Sequence, residues 1–283
     1  MKIEQNRLLF TSTGAHTGYI DLPRALSATN GKSITQTKRH DGKYKPLGYM
    51  IRVRAITGSI GIESLNCGYP TRNAVVLAGA ARDAMLKSAG VSRSNLESYQ
   101  KELRIKMETG QNDSTMFFPG ATDIGISNGG WGEALTYDYT KLTIVRPDEA
   151  SDGVTLPLVM LGTQDSNEDN WDADSGFFVV DNWAKFRHNF TPSASADDIE
   201  NNVFSWAMSQ SSTAGDIIER IEAEADERPY VLTEFKDTAM KTIVSTAVGS
   251  PISGVICAPL GLLKIVTAET AAWEIEVVGV TEL

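Results

Sequence analysis

At 283 residues, with 41% hydrophobic and 8% aromatic side chains, the chain is long enough for one large or two ordinary globular domains. Its 36 acidic against 26 basic residues leave a net charge of −10, which excludes broad nucleic-acid binding, because affinity for phosphates comes from Lys and Arg displacing counterions. No run of about eighteen apolar residues exists to span a bilayer, the start MKIEQNRLLF lacks the layout of a secretion signal, and two cysteines are too few for a disulfide framework.

Residues 18–44 read GYIDLPRALSATNGKSITQTKRHDGKY. Gly31-Lys32-Ser33 imitates the end of a phosphate-binding loop. The glycine that such a loop needs five positions earlier is Leu26, and no apolar strand leads into it. Asn30-Gly31 is therefore read as a tight turn, since both residues tolerate positive φ, and Asp41-Gly42 as a second. The segment as a whole reads as the first strands and turns of a β-rich fold. Residues 49–56, YMIRVRAI, alternate apolar side chains with Arg52 and Arg54, the period-two signature of a half-buried strand. Cys67 and Cys257, far apart and without zinc spacing, are expected to be small buried thiols in a protein made in reducing cytoplasm.

The spacing predicts a helix over 73–88, with Leu77, Ala81, Ala84 and Met85 on its apolar stripe and a stop at Gly90. Ser94-Asn95-Leu96-Glu97 is a capping box opening a second helix, with Leu96, Tyr99 and Leu103 inward. Strands are predicted over 135–145, 154–161 and 176–180. A second helix pair opens at Ser195 to Asp198, carrying Ile199, Val203 and Ala207, and at Thr213 to Asp216, carrying Ile221 and Ala225. Strands over 252–267 and 273–280 close the chain; in the last, Trp273, Ile275 and Val277 alternate with Glu274 and Glu276.

The helix pairs begin at 73 and 94 in the first half and at 196 and 214 in the second, and TKLTIV at 140–145 has a counterpart in GLLKIV at 261–266. This spacing hints at duplicated architecture. The expected fold is all-β: two jelly-roll β-barrels in tandem, residues 1–150 and 151–283, each with an inserted pair of short helices.

Sites of chemistry are sparse. His16, His40 and His188 do not share metal-ligand spacing. In the acidic loop 165–176, Asp165, Asn167 and Asp169 alternate as calcium ligands do, but Asn170 stands where the loop needs Gly and Gly176 where it needs a bidentate Glu. It is read as an exposed acidic loop. Ser127 has the letters of a nucleophile elbow without the strand before it or the helix after it. Abundant carboxylates do not by themselves make a hydrolase, and aromatics do not interleave with the basic run Lys38-Arg39-His40. The expectation is a non-enzyme without metal or cofactor. Charge is segregated: residues 1–54 hold ten Lys/Arg against three acids, and residues 161–230 hold fifteen acids against four basic residues. Either the two regions meet between neighbouring copies or both are solvated faces.

Three segments together, GYIDLPRALSATNG, DIIERIEAEADERPY and APLGLLKIV, resemble the major capsid proteins of small tailless icosahedral phages, including environmental single-stranded DNA phages. Ile20, Asp21, Leu22, Leu26 and Ser27 match the early motif, and Arg228, Pro229 and Tyr230 the later one. The resemblance implies a double jelly-roll subunit, assembled in the host cytoplasm, that trimerises into pseudo-hexagonal capsomers of a virion shell. Other virion proteins, such as a vertex protein, and in some relatives an internal membrane, would be its partners. The chain lacks a long basic N-terminal arm, which fits a shell that leaves genome packaging to other components. The competing expectation is a β-sandwich binding module, an adhesin or glycan binder, using the acidic loop.

Overall fold

Alternation along the strands decides which faces meet. The computed structural model describes residues 3–96, 101–120, 139–144, 154–163, 176–189, 241–246 and 254–283. Two antiparallel sheets face each other. The first orders β1 (Arg7–Ser12), β12 (Ala271–Glu282), β4 (Lys43–Thr57) and β10 (Ile256–Pro259), with β3 (Thr37–His40) added beside β4. The second orders β2 (His16–Asp21), β11 (Leu262–Thr267), β5 (Ile60–Leu65) and β9 (Lys241–Thr246). Leu8, Phe10, Ile20, Ile51, Val53, Ile60, Ile62, Leu263, Ile265, Trp273, Ile275 and Val277 fill the space between them. Burial of such side chains, about 25 cal/mol per Å² of apolar surface, is what holds the sheets together. The expected alternation is found over 49–56, where Ile51, Val53 and Ala55 are buried and Arg52 and Arg54 exposed, and over 273–277, where it ends at the register shift after Val277. β4 and β12, 15 and 12 residues long, are offset from one another at two register shifts.

Setting β3 aside, successive strands switch sheets except where β5 is followed by β9, which pair with each other. That order is one eight-stranded jelly roll built from two Greek keys. The molecule is mostly β-sheet with few helices, as expected, but the described strands do not divide at residue 150. β10, β11 and β12 lie between or beside β1, β2, β4 and β5. The similar spacing of the two halves does not reflect two barrels among these strands, because period-two alternation fixes a strand's face and leaves its partner open.

Between β5 and β9 runs a long excursion. It carries α2 (Tyr69–Ser88), β6 (Lys141–Ile144), β7 (Val154–Val159), β8 (Phe177–Phe178) and α3 (Val179–Asn189); β6 pairs antiparallel and β8 parallel with β7. Its core joins Ala74, Val75, Ala78, Leu103, Ile105, Met107, Leu142, Leu158, Met160, Val180 and Trp183 with Tyr19, Leu65 and Leu262 of the second sheet. Residues 116–120 bind the excursion to the edge strands: Phe117 N–H donates to the Tyr19 carbonyl at 2.8 Å and Gly120 N–H to the Leu9 carbonyl at 3.0 Å.

Several expectations need correction. Residues 22–30 are helical: α1 (Leu22–Asn30) is capped by the Asp21 carboxylate, has Pro23 in its first turn, and ends at Gly31 with φ +61°. Asn30-Gly31 is therefore a helix terminus, whereas Asp41-Gly42, φ +51° and +76°, is the hairpin turn expected between β3 and β4. The helix expected over 73–88 starts earlier, at Tyr69, and turns Ala74, Val75, Ala78 and Gly79 inward; Leu77, Ala81 and Met85 flank that stripe and Ala84 is exposed. At the capping box a 3-10 turn spans Arg93–Asn95 and Leu103 is buried as expected, while the rest of the expected helix, 97–100 with Tyr99, lies outside the described residues. The strand expected over 176–180 gives way to α3 at Val179. The strand expected over 252–267 breaks at Leu260-Gly261, both at positive φ. The helices expected at 195 and 213, Ser127, the motif at 228–230 and all of the acidic loop except Gly176 lie outside the described residues.

Gly79 reveals why α2 is rotated as it is. A Cβ there would stand 2.9 Å from Tyr44 Cβ, closer than real contacts allow, so the helix meets β4 at this residue. Gly79→Ala gains about 1 kcal/mol of helix propensity, but Tyr44 is buried and overpacking costs about 1–3 kcal/mol. The expected result is a net loss of up to about 2 kcal/mol in urea unfolding. An unchanged midpoint would show that α2 does not rest on Tyr44.

Candidate functional site

The densest polar arrangement lies at the start of α1, where β2, α1 and the excursion converge. Asp21, only 1% exposed, accepts from Arg24 N–H at 3.0 Å and from Gln36 Nε2 at 3.1 Å. Tyr139 Oη donates to the same carboxylate at 3.5 Å and receives Gln111 Nε2 at 2.7 Å. Gln36 acts as a backbone surrogate: its Oε1 accepts from Ile105 N–H at 2.6 Å and its Nε2 donates to the Ile105 carbonyl at 3.0 Å. Arg24, also buried, donates to Asp113 at 2.7 Å and sits 5.2 Å from the Phe118 ring centre. Burial pushes the Asp21 carboxyl up to about 6, against the opposing pull of the Arg24 N–H, the Arg24 and Arg104 guanidinium groups and Gln36. Tyr139 is raised well above its ordinary value, first by burial and then by the Asp21 charge. Hydrogen bonds among these side chains join three chain segments. The arrangement locks the excursion onto the barrel.

On the outer face of the second sheet, Glu108 of the excursion receives Tyr19 Oη and Lys264 Nζ, both at 2.8 Å, and Glu63 lies 4.0 Å from the same ammonium. Burial, then the Glu108 carboxylate, raises the Tyr19 phenol. On the outer face of the first sheet, charges alternate in register: Arg54 opposes Glu274, Arg52 opposes Glu276, and Arg7 reaches Glu276 at 3.4 Å. A charged outer face on the first sheet is what an antiparallel sheet exposed on one side requires; the outer face of the second sheet is covered by the excursion.

The residues singled out from sequence are placed as follows. Lys32 pairs with Glu4 at 3.3 Å and Ser33 Oγ donates to Glu102 at 2.8 Å, just past the end of α1. The basic run occupies β3, with Lys38 on Glu282 at 2.7 Å, Arg39 on Asp83 at 2.9 Å and His40 on Asp41 at 2.9 Å. Acids of the same chain thus already hold part of the basic N-terminal region. His16 is on β2 and His188 on α3, and among the described residues no group of three or more His, Cys, Asp or Glu is arranged to hold a metal ion. A hollow of about 420 Å³ at the end of α2 is lined by Arg39, Asp83, Leu86, Lys87, Gly90, Val91 and Ser92, with the Arg39–Asp83 ion pair in its wall. Among the described residues no helix is long and apolar enough to cross a membrane.

The cysteines depart from expectation. Cys67 is exposed and Cys257 half-exposed, and they lie together: Cys67 Sγ is 3.8 Å from the Cys257 carbonyl. Cys67 follows β5 in the neck of the excursion and belongs to neither core. Asp21-Leu-Pro was a readable helix start; nothing local in the sequence marks Gln36 or Gln111 as its buried neighbours. No known protein family, curated protein or solved structure matches the chain.

Proposed function

We propose that the protein is a structural shell subunit, a major capsid protein that assembles with copies of itself into an icosahedral particle. The observation that carries this reading is the strand order β1-β12-β4-β10 facing β2-β11-β5-β9. Double-sheet jelly rolls of this kind are a recurrent architecture of viral shells, where the sandwich forms the wall and long excursions form contacts and outer surface. Two further features support it. The polar clusters bind the excursion to the barrel through buried hydrogen bonds, as a load-carrying subunit requires. The residues Ile20 to Ser27, on which the resemblance to tailless phage capsid proteins rests, fall on the strand end, cap and helix that make up that joint. The role is structural and no catalytic step is assigned.

On this reading the described strands supply one barrel to the shell. Closed assembly from identical copies needs only repeated, symmetry-related contacts. The homotrimer is the first assembly to seek. Sedimentation of the purified full chain should give a discrete oligomer, trimeric on this reading, and negative-stain microscopy should show regular particles or rings. A stable monomer at all concentrations, together with selective hits on a glycan array, would replace the shell subunit with a jelly-roll binding module, the other common use of the fold.

A further inference from the structure

The two cysteines are separated by 190 positions, yet the fold brings them side by side at the one place where the excursion leaves the barrel. Cys67 lies in the neck between β5 and α2; Cys257 is on β10, paired through Met50 to β4. The Cys67 thiol donates toward the Cys257 carbonyl at 3.8 Å, and the Cys257 side chain is the neighbour that shifts the Cys67 thiol most. Gly48 presents no side chain beside them; a Cβ at that position would stand 2.9 Å from Cys257 Sγ. Both residues are open to solvent, Cys67 the more so. Such a pair, unlike two buried thiols, is reachable by a small reagent and already positioned to react with itself.

We propose that Cys67 and Cys257 form a reversible thiol–disulfide switch that clasps the neck of the excursion to the first sheet, with a small-molecule disulfide of the glutathione class as oxidant. The neighbouring thiol lowers Cys257 and, together with burial, raises Cys67, so Cys257 is the attacking thiolate. Its sulfur forms a bond to one sulfur of the small disulfide, whose S–S bond breaks and releases one thiolate. That thiolate takes the Cys67 proton. The Cys67 sulfur then attacks Cys257 Sγ, the mixed S–S bond breaks, and the second small thiolate leaves and is protonated by solvent. The released proton originally lost by Cys257 completes the balance: two protein thiols are oxidised to one disulfide and one small disulfide is reduced to two thiols.

For a shell, this arrangement keeps subunits open under reducing conditions during assembly and clasped after release into oxidising surroundings. That consequence rests on the proposed function; the thiol chemistry does not. Closing a loop of 190 residues should raise the melting temperature by on the order of 10 °C, mostly by restricting the unfolded chain.

The test equilibrates the full-length chain with oxidised and reduced glutathione at graded ratios, then reads intact mass, peptide linkage and melting temperature. The expected result is joint loss of both thiols, a mass lower only by the two hydrogens, a peptide joining Cys67 to Cys257 within one chain, and the higher melting temperature. Cys67→Ser and Cys257→Ser should each stop at a glutathione adduct on the remaining cysteine, without the thermal gain. Independent glutathione adducts on both cysteines of the unsubstituted chain, or a linkage only between chains, would overturn the switch. Assembly is not among the readouts, so failure of the shell reading leaves this result standing, and the reverse.

Discussion

Trp273→Ala is expected to lower the stability of the barrel by about 3–5 kcal/mol, a large part of the roughly 5–15 kcal/mol that holds a typical domain folded. Trp273 is fully buried on β12, stacks on Phe10 of β1 with ring centres 5.9 Å apart, and meets Phe117 of the excursion edge-to-face at 5.1 Å. It is thus the side chain at which the first sheet, the facing core and the excursion share contacts, and its removal leaves a cavity that no single neighbour can fill. Trp273→Phe separates volume from polarity. The indole Nε1 has no hydrogen-bond partner among the described residues, so phenylalanine sheds a buried unsatisfied donor, worth about 1–3 kcal/mol, while keeping a ring. Chemical unfolding should rank the unsubstituted chain and Trp273→Phe close together and Trp273→Ala far below. Equal losses in both variants would show that ring packing is not what Trp273 contributes.

The second large effect is a pH dependence opposite in sign to that of most carboxylates. Asp21 has its carboxyl raised from 3.8 to about 6 in the folded chain. A folded-state value above the unfolded one means that the native state holds its proton more tightly. Its contribution is therefore complete below about pH 4 and is lost as the pH rises through about 6. The difference corresponds to about 3 kcal/mol between about pH 4 and pH 7. Asp21→Asn does not titrate, and asparagine is as good an N-cap as aspartate. The variant should therefore gain on the unsubstituted chain as the pH is raised from about 4 to about 7, by up to about 3 kcal/mol in the difference of unfolding free energies. Part of that gain is offset at every pH, because the new amide donor faces Gln36 Nε2, which the Ile105 backbone holds in place. A difference that stays constant across the range would show that Asp21 does not titrate in this window.

Legibility followed the range of the interaction. The face of each strand was readable over 49–56 and 273–277, because burial there depends on the strand's own alternation. The Asp41-Gly42 turn was readable for the same reason: its geometry is set by two adjacent residues. α1 falls in a segment whose pattern reads as strands and turns, although Asp21, Pro23 and Gly31 mark its ends, because its nine residues give little apolar periodicity to read. The stripe on α2 was displaced because Gly79, which carries no hydrophobic signal, is where the helix comes closest to Tyr44. Of the polar cluster, Asp21 alone stood in a recognisable motif. Gln36 and Tyr139 reach it across sequence separations of 15 and 118 positions, and Gln111 joins through Tyr139.

By itself, then, the sequence determined a β-rich chain, the inward and outward residues of its clearest strands, and the turn between β3 and β4. Tertiary structure alone decided that β10 to β12 insert among β1 to β5 to make one barrel, that Asp21 is enclosed, and that Cys67 and Cys257 touch. The physical reason is that hydrogen-bonding edges are chemically alike from strand to strand. A strand's pattern states which side it buries, whereas its partner is chosen by the whole set of faces that must be covered at once.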